Sequence, residues 1–299
     1  MQRIVHRLLA AFVALTLLAV PQAAVARDAA PDAPALWKID GPQGDVYLFG
    51  SVHLLPQGVN WRTPALDAAL NEAQVIAFEI DLDEASDISA TQKLIAKLGL
   101  LPHGTTLRKM LAPEQRAKFD RVATAIGIPP ASLDPLRPWL AAVTIGVQWV
   151  VSKGYDPSSG VDQRIWAWAK TNNKGRVPLE TSEEQLNAFA SLTREQEIEF
   201  LILSLDQIED TPKMLEDLLG AWRKGDTKAL DKLLNEGMKD FPALNKRLLD
   251  DRHAKWLPQI EKMIADGRTH VVVVGTAHLV GEGSVVDLLR QKGVKVEGP

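Results

Sequence analysis

The sequence predicts an α/β (α+β) fold, a central mixed sheet interrupted by a long helical insertion. Three observations predict it. Runs rich in β-branched and aromatic residues, Val46-Tyr47-Leu48-Phe49 and Val271-Val272-Val273-Val274, stand near the two ends of the chain and read as buried strands. Each leads into a version of one nine-residue phrase, Gly50-Ser51-Val52-His53-Leu54-Leu55-Pro56-Gln57-Gly58 and Gly275-Thr276-Ala277-His278-Leu279-Val280-Gly281-Glu282-Gly283, with Gly, His, Leu and Gly in register. Between them, from roughly 85 to 266, apolar residues recur at helical spacing. Strands, then helices, then strand-helix-strand is the order of a sheet closed by its last segment.

Taken in order, Met1 to Ala26 reads as a cleaved signal peptide. Arg3 and Arg7 form a positive front, Leu8 to Val20 carries no charge, and Ala24-Val25-Ala26 is a small-residue cleavage site. The apolar stretch falls short of the ~20 residues a helical span needs, so no stable membrane span is expected after cleavage and the protein is expected in the periplasm. Leu36-Trp37-Lys38-Ile39 and Val46 to Phe49 flank Gly41-Pro42-Gln43-Gly44 as a β-hairpin. Thr63-Pro64 starts a helix carrying Leu66, Ala69 and Leu70 on one face. Val75 to Ile80 is a buried strand ending in a carboxylate, Glu79. Trp139 to Val151 is a core helix, Val177-Pro178-Leu179 a short extended piece, and Ser182 with Gln185 a capping box. Gly225 and Pro242 break the later helices; Val271 to Val274, Ser284 to Gln291 and Val294-Lys295-Val296 are the closing strand, helix and edge strand. No linker divides residues 27–299, which read as one domain.

Composition excludes several classes. There are no cysteines, hence no disulfides, thiolate metal sites or cysteine nucleophile. The net charge is −4, with basic residues scattered among acidic ones, so no nucleic-acid groove is expected. No Gly-x-Ser-x-Gly elbow accompanies Ser51 or Thr276.

What remains is histidine and carboxylate chemistry. A glycine at each strand tip lets the chain turn sharply, which puts His53 and His278 at the carboxyl edge of the sheet, where open α/β sheets bind ligands. Imidazole and carboxylate form open zinc, manganese or cobalt sites, and Glu79 is the third candidate because an ionised strand-end group needs a compensating cation. Each has a plainer alternative. The paired phrases also fit an internal repeat without chemistry, and Glu79 also fits an ion pair with Arg252 or Arg137. Glu180 follows the next short strand, where a helix dipole alone favours an acid, and Asp162 also fits a helix start. Arg252 and His253 share a mixed helix on which one of the two turns inward or both face solvent. His103 and His270 lie outside the repeated phrase and are assigned to structure.

Together, Trp37-Lys38-Ile39, Tyr47-Leu48-Phe49-Gly50-Ser51-Val52-His53, Phe78-Glu79, Gly160-Val161-Asp162, Leu179-Glu180-Thr181 with Glu184-Gln185, and Gly275-Thr276-Ala277-His278-Leu279 with Gly281 resemble the TraB/PrgY/GumN family. The resemblance covers essentially all of the chain after the leader. It implies a fold related to the erythromycin esterase and ChaN-like proteins, and a link to the Tiki proteins, membrane-tethered metal-dependent proteases that use paired Gly-x-x-His histidines and a glutamate. It also implies His53, Glu79 and His278 as the catalytic and metal-binding core, with Glu180 and Arg252 beside it. Where the family often has Arg-Asn, this chain has Arg252-His253, which makes His253 an extra ligand, a substrate contact or a neutral change. The expectation is a periplasmic hydrolase dependent on a divalent ion (Mn, Co or Zn) and acting on a peptide or protein. The alternatives are a non-catalytic peptide-sequestering protein and a metal-independent esterase of the erythromycin-esterase type.

Overall fold

A computed structural model describes residues 32–299 apart from 211–212, 236–237 and 239–240. The expected signal peptide lies outside the described residues. The chain divides into two compact units, one helical, made of Asp83–Tyr155 and Ser182–Lys213, and one built on a sheet, made of the described residues up to Leu82, Asp156–Thr181 and Met214–Pro299.

In the helical unit, Ile88–Leu98, Pro113–Ala125, Pro138–Ser152, Ser182–Ala190 and Arg194–Asp210 are the longer helices. Leu107, Phe119, Leu133, Trp139, Ile145, Leu201 and Leu205 form their core. Trp139 to Val151 is the buried helix its composition predicts. Arg137 pairs with Glu197 and donates to the carbonyls of Leu98 and Ala190. The expected capping box at Ser182 is not formed: Ser182 already lies inside the helix, and its buried hydroxyl has no hydrogen-bond partner. Among the described residues no helix is long and apolar enough to cross a membrane.

The main sheet of the second unit has five strands: β1 (Leu36–Ile39), β2 (Val46–Ser51), β3 (Val75–Phe78), β4 (Gly175–Pro178) and β5 (His270–Gly275). Their order is β1-β2-β5-β3-β4. The hairpin β1-β2 is antiparallel as expected, and all other pairs are parallel. β5 therefore sits in the middle, with His270 opposite both Val46 and Val75. Sandwiched strands need apolar residues on both faces, which is why β3 and β5 read as unbroken apolar runs. Leu66 and Leu70, Val161 and Ile165, Trp256 and Ile260, and Val285 and Leu289 from four helices join Leu48, Ile76 and Val272 in one core. Thr63 caps the first of these helices, accepting from the Leu66 N–H.

The expected edge strand at Val294–Val296 reduces to one antiparallel bridge between Lys38 and Glu297. Glycines with positive φ stand on either side of it at 293 and 298.

The turn that feeds β5 carries a pH-dependent contact. Burial works to raise the pKa of Asp266, but hydrogen bonds from Arg268 and His270 outweigh it and bring the carboxyl down to about 2. A lowered acid pKa stabilises the fold above the unfolded value near 4, and that stability is lost as pH falls toward 2. The full linkage is ~2.4 kcal/mol; solvent reaching a carboxyl left 27 % exposed screens it to about 1–2 kcal/mol. Urea melts between pH 4.5 and 2 should show this loss in the wild type and its absence in Asp266→Asn; equal acid slopes would refute it.

Candidate active site

Because β2, β5, β3 and β4 run in parallel, their carboxyl ends share one edge, and each hands one chemically active residue to it. His53 lies two residues past β2, Glu79 directly after β3 and Glu180 two residues past β4, while His278 lies in the short 3-10 turn Thr276–His278 after β5. The parallel ladder runs on past the strands. Leu179 N–H donates to the Phe78 carbonyl and Glu180 N–H to that of Glu79, which sets the two glutamates side by side.

The two glycines of the repeated phrase serve different purposes. A Cβ on Gly50 would lie 2.8 Å from Thr276 Oγ1, so Gly50 lets the two phrases pack together, and Thr276 Oγ1 donates to the Ser51 carbonyl at 2.9 Å. Gly275 instead makes space at the centre. A Cβ there would lie 3.1 Å from Glu79 Oε1, 3.5 Å from His53 Nε2 and 3.5 Å from His278 Cδ2. Two imidazoles and a carboxylate thus converge on the bare face of one glycine, whose N–H also donates to Glu79 Oε1 at 2.6 Å.

Each of the three is oriented from behind. His53 Nδ1 faces Asp162 Oδ1 at 3.2 Å, and Ser51 Oγ donates to the same oxygen at 2.9 Å. The charge of Asp162 favours the protonated ring and lifts its pKa to about 9 against an opposing desolvation, although 54 % of the His53 side chain is exposed. The Gly160-Val161-Asp162 segment clamps the loop. Val161 N–H donates to the Val52 carbonyl, and a Cβ on Gly160 would meet His53 O at 2.2 Å. His278 is buried, its Nδ1 2.9 Å from His253 Nε2, and His253 Nδ1 is 2.9 Å from the Gly283 carbonyl. Burial pushes both pKa values below the usual histidine range.

Arg252 closes the front. Its Nη2 donates to Glu79 Oε2 and to Glu180 Oε1, each at 2.6 Å, and its Nε to Glu180 Oε1 at 3.0 Å. Its Nη1 is 2.8 Å from His278 Nε2, and the guanidinium stacks on Trp256 with 4.6 Å to the ring centroid. Burial works to raise the pKa of Glu79, but the Arg252 guanidinium, the two histidines and the Gly275 N–H together outweigh it and hold the carboxyl well below the ordinary range.

The donor types suit a divalent cation, and the cradle over Gly275 gives them a common focus. A carboxylate behind a ligating histidine, as Asp162 stands behind His53, is the usual outer shell of such sites. The arrangement is not closed around an ion: among the described residues no group of three His, Asp or Glu stands at coordination distances. Glu79 Oε1 and His278 Nε2 are 3.8 Å apart, whereas adjacent donors at bonds of about 2.1 Å lie roughly 3.0–3.4 Å apart. Loading therefore requires Arg252 Nη1 to release His278 Nε2.

All seven residues picked out in the sequence, His53, Glu79, Asp162, Glu180, Arg252, His253 and His278, fall in this one network. Of the two arginines considered for Glu79, Arg252 is its partner, while Arg137 pairs with Glu197 in the helical unit. Both Arg252 and His253 turn inward, rather than one of them. His103 is exposed and His270 binds Asp266, as their assignment to structure anticipates. Trp256 and Gly275 were missed as parts of the site. Trp256 was legible as the residue one helical turn after Arg252.

An α/β domain that delivers two Gly-x-x-His histidines and a glutamate to one sheet edge defines a narrow class. The chain belongs to the TraB/PrgY/gumN family, whose sequence profile matches residues 35–298. It is similar to the uncharacterized protein YbaP of Escherichia coli (strain K12), with 23 % identity over 82 % of this chain and 87 % of that protein. It is also similar to an uncharacterized protein of Treponema pallidum (strain Nichols), with 21 % identity over 86 % of this chain and 80 % of that protein.

Proposed function

We propose that this chain is a periplasmic metal-dependent hydrolase acting on peptide bonds, with His53, His278 and Glu79 holding a manganese, cobalt or zinc ion. The observation that carries it is the convergence of these side chains on the bare face of Gly275. The resemblance to the Tiki proteases supports the peptide bond as the target. When bound, the ion supplies Lewis acidity and lowers the pKa of a water to about 7.

The chain's own residues do the rest. Asp162 accepts a hydrogen bond from the Nδ1–H of His53, so that Nε2, once its own proton has left to solvent, would be the donor atom facing Gly275. Glu79, kept ionised by Arg252, accepts a proton at Oε2 from the attacking water and passes it to the leaving amine. Arg252, tethered by Glu180, offers the Nη1–H freed from His278 to the oxyanion of the scissile carbonyl. The half-exposed His53 marks the side from which substrate enters, while Trp256 and the buried His278 exclude water from the other.

A second reading has an observation of its own. The exposed His53 with Asp162 behind it is also the geometry of a general base, and Arg252 already satisfies the His278 lone pair, as a metal-free esterase would have it.

Metal titration and turnover separate these readings. Protein recovered from the periplasm should begin at Arg27 by intact mass. After stripping and reloading it should bind one ion per chain and cleave members of a peptide library. His53→Ala and His278→Ala should each lose about 100-fold or more in metal affinity, and His103→Ala and His270→Ala should not. Ester hydrolysis that survives chelation would favour the esterase, and peptide binding without turnover would favour sequestration.

A further inference from the structure

We infer that His253 is a positioning residue that fixes the tautomer of His278, so that the Nε2 lone pair of His278 always faces the site. Three contacts form a line: Gly283 carbonyl to His253 Nδ1 at 2.9 Å, His253 Nε2 to His278 Nδ1 at 2.9 Å, and His278 Nε2 to Arg252 Nη1 at 2.8 Å. Its two ends have only one role each. A carbonyl only accepts and a guanidinium only donates. Starting from Gly283, His253 must carry its proton on Nδ1, its Nε2 is then an acceptor, and His278 must carry its proton on Nδ1. Starting from Arg252, His278 Nε2 must be bare and its proton again falls on Nδ1. Both ends give the same answer. An additional proton on either ring, or the other tautomer of either, would set two N–H groups against each other.

The surroundings keep the line in place. His253 is 1 % exposed, and both of its nitrogens are engaged, so it is neither an extra ligand nor a substrate contact. Its ring meets that of His278 edge-on, with centroids 5.1 Å apart at 78°. His253 thus acts through His278. The value of this for metal binding rests on the hydrolase reading above, whereas the tautomer itself is a property of the metal-free protein.

Long-range proton–nitrogen NMR correlation on the metal-free exported chain, labelled with 15N-histidine, reads each ring directly. His253 and His278 should both appear as neutral Nδ1–H tautomers. In His253→Gln the amide oxygen reaches the former Nε2 position and His278 should keep its Nδ1 proton. In His253→Leu no acceptor remains, and His278 should move to the Nε2–H form or a mixture. Manganese affinity should fall about 10–100-fold in His253→Leu and stay within about threefold in His253→Gln, the range expected for an outer partner of a ligating histidine. An Nε2–H or cationic His278 in the wild type overturns the inference. So does an unchanged His278 tautomer in a folded Leu variant. If the Leu variant does not fold, the wild-type and Gln spectra decide. If the tautomers are as inferred but no variant, including the wild type, binds manganese, the positioning role stands and the hydrolase reading fails.

Discussion

Gly275→Ala is expected to abolish metal binding while leaving the protein folded. The backbone there has φ −51° and ψ 137°, which alanine adopts freely, so the new methyl acts by position alone. It would enter the space shared by Glu79 Oε1, His53 Nε2 and His278, with 3.1 Å to the carboxylate oxygen. We expect at least a ~100-fold loss of manganese affinity by isothermal titration. The stability cost should be about 1 kcal/mol, the low end for a single added methyl in a packed site. Unaltered affinity would mean that the donors do not focus over Gly275. The same change at Gly50 would instead press on Thr276, so the two halves of the repeated phrase should respond differently.

Arg252→Met should strongly destabilise the metal-free protein. It leaves Glu79 and Glu180, both buried, facing each other without their cation. Breaking such a cluster by removing one partner costs about 3–5 kcal/mol, and urea unfolding followed by tryptophan fluorescence measures it. Pairing it with Glu180→Gln should recover part of the loss, since one of the two stranded charges is then gone. A cost below about 1 kcal/mol would show that the carboxylates do not depend on Arg252.

Much of the fold was legible because it rests on local patterns. Apolar runs with a glycine at their tips gave β2 and β5, and the Gly-Pro turn gave the hairpin. The strand order was not legible, since nothing local in Val271 to Val274 says that it inserts between β2 and β3. The site residues could be read for a similar reason: parallel strands put their ends on one edge, so the residue just past each strand is the one to inspect. The joint inward turn of Arg252 and His253 was hidden. Lys246–Asp250 is π-helical and runs directly into the helix Asp251–Ala265. Such a wide turn breaks the 3.6-residue count by which one neighbour would point in and the other out. The overestimated strand at Val294–Val296 has a similar cause, because alternating apolar residues are a strand only where a partner runs alongside.

The place of β5 sets when the candidate site can assemble. A chain emerging from its amino end presents β1, β2, β3 and β4 first, yet β2 and β3 have no common neighbour until residues 270–275 arrive to lie between them. His53 and Glu79 stay apart until then, and the line from Arg252 through His278 and His253 to Gly283 cannot be drawn. Pairings between residues so distant in sequence are slow to form. The final stretch, which also binds β1 through Lys38 with Glu297 and Trp37 with the Pro299 carbonyl, acts as the keystone of the molecule. Until that moment the residues of the candidate site are not brought together.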